Sequence, residues 1–276
     1  MSLLRSPLGV VGGIMVALLV GAAVSAPLVA PYAPTALAGE SLQPPSTDHL
    51  LGTNNLGHDN FSRLVWGART SLSVAAGAAA LTLALAVAVG VGAGLRGGLV
   101  DLAAMRVVDV FLALPTLPLL IFVAALMTLT RPALIVAIGV LTWPTLARIL
   151  RSQTLSLRQR GFVTAAGGFG GGAGYIVRRH LVPALGPILV AGFVTVAGRV
   201  VLLETGLAFL GLADPTGVSW GFVLNRALDH PGLYFSPAWT WWVLPTGFAT
   251  SALAIGLMLL GVALEPILNR RAGSPA

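Results

Sequence analysis

Arg199 and Glu204 are charged residues inside stretches that are otherwise apolar. A charge held in hydrocarbon marks a functional site by default, because it must face a partner, a water-filled path or the membrane interface. Five residues apart on an ideal helix, the two diverge by about 140°, so they are not expected to face each other. The plainer alternative for Glu204 is a place near the external end with its charge in water. Arg106 and Asp109, three apart, suit a local pair at a helix end, and Asp109 is a further candidate for the pathway. Gly217-Val218-Ser219-Trp220-Gly221 imitates a nucleophile elbow, with Asp229 and His230 following in hydrolase order. That motif needs a strand-to-helix turn on top of a sheet, which the short stretch between two apolar runs does not offer. Gly168, Gly170 and Ala173 imitate a dinucleotide fingerprint but follow no strand and precede no ribose-binding acid. The four histidines, His49, His58, His180 and His230, lack metal-ligand spacing. Cysteine is absent and all 16 basic residues are arginines, which excludes thiolate metal sites, Schiff bases and a phosphate-gripping P-loop.

The elements that must position these residues are set by composition. Of 276 residues 56% are hydrophobic and 9% charged, and the mean hydropathy is +0.91; soluble domains carry about 25% charged residues. The apolar residues run continuously instead of alternating, which excludes a membrane β-barrel and predicts an all-α membrane protein. Stretches free of Asp, Glu and Arg place six spans near 8–30, 71–95, 104–128, 132–151, 184–209 and 240–264 in a single domain over 1–276. The fourth reaches full length if Arg148 and Arg151 snorkel to the interface. Arg5 and the small residues Val24-Ser25-Ala26 imitate a secretory signal, but the apolar stretch from Leu8 to Leu28 exceeds the roughly 7 to 15 residues of such a signal, so the first helix is expected to stay.

With six spans both termini share a side. Cytoplasmic termini put Arg5, Arg96, Arg106, Arg148, Arg151, Arg158, Arg160, Arg178, Arg179, Arg270 and Arg271 inside, which the positive-inside rule favours. The same rule explains the basic balance of +7 without nucleic acid, for which no arginine face interleaved with aromatics exists. Residues 31–69 become an external segment, and 152–183 an internal connection of one or two short helices on the membrane surface. A connection that long between packed helices is usually functional. Trp220, Trp239, Trp241 and Trp242 are expected at the external headgroup level.

Within 152–183, Arg160-Gly161-Phe162-Val163 leads into Thr164-Ala165-Ala166, Gly170 and Leu181-Val182-Pro183. This pattern resembles the Glu-Ala-Ala signature of permeases from ATP-driven, binding-protein-dependent importers. Leu51-Gly52-Thr53-Asn54-Asn55-Leu56-Gly57-His58-Asp59, Arg106-Val107-Val108-Asp109-Val110 with Leu114-Pro115, and Glu204-Thr205-Gly206-Leu207-Ala208-Phe209-Leu210-Gly211-Leu212 narrow the resemblance. They match the C-type permease subunit of the dipeptide, oligopeptide and nickel group. Thr164 departs from the family by standing where it usually has Glu.

The resemblance implies a bacterial cytoplasmic-membrane subunit paired with a second, similar permease, two cytoplasmic ATPases and an extracytoplasmic binding protein. No cofactor is expected in this chain; ATP and Mg belong to the partners. The 152–183 loop would couple to the ATPase through Thr164, Ala165, Ala166, Gly170, Arg178, Arg179 and Pro183, and alternating access would move peptides, with nickel chelates or glutathione-like cargo as alternatives. Read without the family, the small residues permit close approach of a partner surface, and the arginines suit anionic headgroups; a glycine-rich turn without a partner is the competing reading. The rival from another class is a self-sufficient secondary transporter using Arg199, Glu204 and Asp109, which requires inverted repeats and spans broken at mid-depth. No internal repeat is visible.

Overall fold

The computed structural model describes residues 6–214 and 217–272, without the side chains beyond Leu264. Arg5 and the side chains of Arg270 and Arg271, all part of the charge argument, lie outside this description. Among the described residues there is no strand beyond one isolated bridge, Thr53 to Asp59. Five helices are long and apolar enough to cross a membrane: α1 (Pro7–Val29), α2 (Asn60–Arg96), α5 (Arg131–Leu157), α7 (Ala173–Phe209) and α9 (Ala238–Leu264). A further pair, α3 (Gly98–Ala113) and α4 (Thr116–Leu126), bent by 80° against each other, is apolar and long enough for a sixth crossing when taken as one broken span. Short helices α6 (Gly161–Gly168) and α8 (Trp220–Leu228) complete the set.

The expected uninterrupted span 104–128 is therefore corrected to two half-length helices. Pro115 has no N–H to continue the helical ladder and forces Leu114 into extended geometry, φ −85° and ψ 129°. Pro118, three residues on, reinforces the break by removing another donor. Helix α2 starts at Asn60 instead of near 71, because the Asp59 carboxylate accepts the Ser62 N–H at 2.7 Å and caps it. Asp59 also takes the His49 ring nitrogen at 3.1 Å, and Arg63 donates to the Pro34 carbonyl at 3.0 Å, so the linker before α2 is folded down onto its first turn.

Small residues bring the long helices together. A Cβ at Gly90 would collide with the Ala147 carbonyl, and one at Gly94 would lie 2.9 Å from Thr154 Cβ, so α2 and α5 cross in backbone contact. Gly12 and Gly256 do the same for α1 and α9. One apolar cluster spans the bundle interior with Val74, Ala78, Leu120, Ile138, Val200 and Leu253. A second lies toward the arginine-rich end and joins Val91, Ala147 and Leu150 to Val163, Ile176 and Leu181.

Two side-chain expectations change, and two arginines gain partners. Arg148 pairs with Asp109 at 2.6 Å, and Arg151 forks onto Asp101, 2.5 Å per bond, tying α3 to α5. Asp109 therefore takes its partner from another helix instead of Arg106. Trp220 and Trp242 are buried, each 1% exposed, and do not form a belt; Trp220 Nε1 donates to the Leu64 carbonyl at 2.8 Å.

Candidate functional site

The stretch between α5 and α7 is a compact knob. Helix α5 continues to Leu157, Arg160 precedes α6, and Gly170 makes the turn at φ +85°, a left-handed geometry that glycine adopts without a Cβ penalty. The second short helix expected here is continuous with the span, since α7 begins at Ala173. A π-helical turn over Val177–Leu181 precedes Pro183, whose missing N–H is absorbed where the ladder shifts from four to five residues.

The knob has two faces. Val163 and Ile176 are buried in the cluster that includes Ala147, Leu150 and Leu181, so any displacement of α6 is felt directly by α5 and α7. Thr164 and Ala165 face outward, Ala166 is half-buried beneath them, and Gly170, Arg178, Arg179 and Pro183 are exposed or partly so. Phe162, Phe169, Tyr175 and His180 border a groove of about 620 Å³ floored by Ala166 and Gly170–Gly172. Phe169 is 92% exposed, an aromatic ring with almost nothing of its own chain to cover it. All seven sequence-predicted residues of this loop thus belong to one end of the molecule.

Arg199, Glu204 and Asp109 do not converge. Glu204 is 1% exposed, which overturns the water-facing alternative: it accepts the Ser71 hydroxyl at 3.1 Å, and Ser219 lines the same narrow cleft as its carboxyl. Ser71 in turn accepts the Trp220 N–H at 3.4 Å. One buried polar knot therefore ties α2, α7 and α8 together, beside a narrow cleft that Arg131 and Asp214 also line. Ser219 additionally caps α8 by accepting the Phe222 N–H at 3.4 Å, so it is a structural hydroxyl and not a nucleophile.

Arg199 opens instead onto a cavity of about 270 Å³ between the α3–α4 break, α5 and α7. Among the described residues no ion pair or hydrogen bond engages it. Sequence reasoning missed Ser71 and the Asp101–Arg151 clamp, and weighed Ser219 only as a nucleophile. Hydroxyls inside apolar runs and two prolines three residues apart were the available signals. The break at Pro115 meets one requirement of the secondary-transporter reading, but that architecture needs corresponding breaks in two halves, and there is one bent pair among the described residues.

Comparison with known proteins bears on the same regions. The family described as the binding-protein-dependent transport system inner membrane component matches residues 86–273, which includes the knob, the break and Arg199. The N-terminal transmembrane domain of oligopeptide transport permease C matches residues 1–45. The chain is 36% identical over 259 residues to the nickel transport system permease protein of Escherichia coli K12, covering 93% of this chain and 91% of that protein. It is 32% identical over 272 residues to the dipeptide transport system permease protein of Alkalihalophilus pseudofirmus, with 96% and 86% covered. Against the Bacillus subtilis dipeptide permease protein it is 34% identical over 234 residues, with 82% and 71% covered. With multiple apolar spans, a knob keyed to the bundle and these matches, the chain belongs to the family of inner-membrane permease components of binding-protein-dependent transport systems.

Proposed function

We propose that this chain forms half of the translocation pathway of an ATP-driven importer of short peptides, pairing with a second, similar permease. Both termini and the knob of α6 lie on the cytoplasmic side, where two ATPase subunits engage it and where the arginines of residues 148–179 concentrate. The linker before α2 and the α7–α9 connection lie outside, facing an extracytoplasmic binding protein. The chain is a non-catalytic subunit, and ATP and Mg act in its partners. Closure of the ATPases pushes on Thr164, Ala165 and the groove; Val163 and Ile176 pass the displacement to α5 and α7, and the pathway alternates between its two openings.

The observation that carries this reading is the two-faced knob: small exposed residues and an uncovered aromatic rim outward, apolar keys inward. The names carried by relatives support peptides as cargo first and nickel second; nickel chelates and glutathione-like molecules stay as alternatives from the sequence resemblance. The test is affinity purification of the tagged chain with its neighbouring gene products, together with reporters fused after Arg271 and inserted near Thr47. A copurifying ATPase, a cytoplasmic C-terminal reporter and an external Thr47 reporter are expected. Purification without an ATPase, or an external C-terminal reporter, overturns the proposal.

A further inference from the structure

Two features that hydrocarbon does not tolerate meet at one depth of the bundle. Arg199 lies ten residues before Phe209, roughly 15 Å along α7 at 1.5 Å per residue. Thr142 and Thr145 on α5 lie at a comparable distance from Arg131, the start of that helix. Both positions are therefore about halfway through a hydrocarbon layer of roughly 30 Å. At that level the chain breaks at Leu114–Pro115, and irregular backbone inside a membrane persists only where protein covers it or a polar cavity receives it. A guanidinium facing lipid at mid-depth costs at least about 2.5 to 3.5 kcal/mol. The break, Arg199, Thr116, Thr142 and Thr145 line the same cavity of about 270 Å³.

The charge balance of that cavity is one-sided. The carbonyl end of α3 and the N–H end of α4 contribute roughly half-charges of opposite sign that nearly cancel at the bend. The full positive charge of Arg199 remains, and no carboxylate of the described residues lies within 4.0 Å of it. The Thr142 hydroxyl is committed to Thr82 at 2.7 Å and to the Ile138 carbonyl at 2.8 Å. Thr116 and Thr145 keep hydroxyls without a partner among the described residues.

We infer that this cavity binds the carboxylate end of the cargo in transit, with Arg199 as the anion-binding residue and the Thr116 and Thr145 hydroxyls beside it. At about 270 Å³ it is just below the roughly 300 Å³ where small-molecule clefts begin, so it accepts one end of a peptide and not the whole. This inference rests on the reading of the chain as a pathway-forming peptide permease, and ATP-driven uptake tests that reading separately.

The experiment uses the assembled importer in proteoliposomes and the natural absence of cysteine from this chain. Thr145→Cys is labelled with a sulfonate-bearing, anionic thiosulfonate and with a trimethylammonium, cationic one, and the adduct on this chain is counted by mass spectrometry. With Arg199 present the anionic reagent reacts preferentially. Arg199→Gln lowers the anionic-to-cationic rate ratio about tenfold, as removal of one nearby unit charge requires, and Arg199→Lys restores most of it. Peptide acid slows labelling, and the C-terminal amide of the same peptide does not. Failure of uptake with normal labelling selectivity counts against the transport reading and leaves the anion site standing. An unchanged ratio in Arg199→Gln, or no labelling of the Thr145→Cys variant in any nucleotide state, overturns the inference. So does protection that persists without cargo, which would assign Arg199 to a carboxylate of the second permease.

Discussion

Replacing Ala165 by tryptophan separates the proposed coupling surface from the fold. Ala165 is exposed on α6, whereas Ala166 packs toward Val163, Ile176 and Leu181. A large side chain at 165 therefore enlarges only the outer face, and the cost within the chain is the few tenths of a kcal/mol by which tryptophan is a poorer helix former than alanine. Against a closely packed ATPase groove the same side chain overfills the contact, by about 1 to 3 kcal/mol, which weakens association roughly five- to 150-fold. Gly170 is a less clean site. No atom lies within 4 Å of its would-be Cβ, but its φ of +85° adds about 1 to 2 kcal/mol of backbone strain for any other residue, mixing a folding defect into the result. The assay compares thermal unfolding of the purified chain, the amount of copurifying ATPase, and binding-protein-stimulated ATP hydrolysis. Unchanged unfolding with reduced ATPase and reduced hydrolysis is expected, while binding-protein docking on the opposite side is retained. Full ATPase content and normal stimulated hydrolysis in Ala165→Trp would refute α6 as the coupling element.

Gly90→Leu should separate α2 from α5 and lower the unfolding midpoint in detergent sharply, because its side chain must displace the Ala147 carbonyl; Gly21→Leu, with nothing within 4 Å of its would-be Cβ, should leave the midpoint unchanged. Ser71→Ala removes the donor to Glu204 and the acceptor of the Trp220 N–H at once, and should cost about 1 to 3 kcal/mol in the same measurement, with Ser73→Ala, an exposed hydroxyl on the same helix, as the neutral comparison. Acid should loosen the linker before α2. Burial first, and then the Arg63 charge, hold the His58 imidazole below its ordinary 6.5, against a raising hydrogen bond from the Thr35 backbone. The folded state thus binds fewer protons than the unfolded one between the two values, so this contribution is complete above about 6.5 and declines as pH falls toward the lowered folded value. Protease cleavage in the linker, followed from about pH 7.5 down to about pH 5, should rise more steeply for the unmodified chain than for His58→Gln. Equal profiles would remove His58 from the account.

Composition alone determined the solvent and the helical class, because a chain with 9% charged residues has no other way to satisfy its backbone in lipid, and the spacing of the charges gave the five to six apolar spans. The seven loop residues lie at one end of the molecule for a related reason: they are close in sequence, and spacing along one segment survives folding. Which of them stays exposed was not legible, since Thr164 and Ala165 differ from Val163 only in which side of a two-turn helix the bundle covers. Tertiary structure decided every interaction between helices. Asp109 pairs with Arg148, 39 residues away, and Ser71 reaches Glu204 across 133, distances over which periodicity carries no information. Pro115 was visible as a potential breaker, but an 80° bend opening onto Arg199 depends on how α5 and α7 pack around it. The burial of Trp220 and Trp242 has the same origin: amphipathic rings favour an interface when free, and the linker, α2 and α8 gave these two a better-packed interior with a hydrogen-bond partner for Trp220.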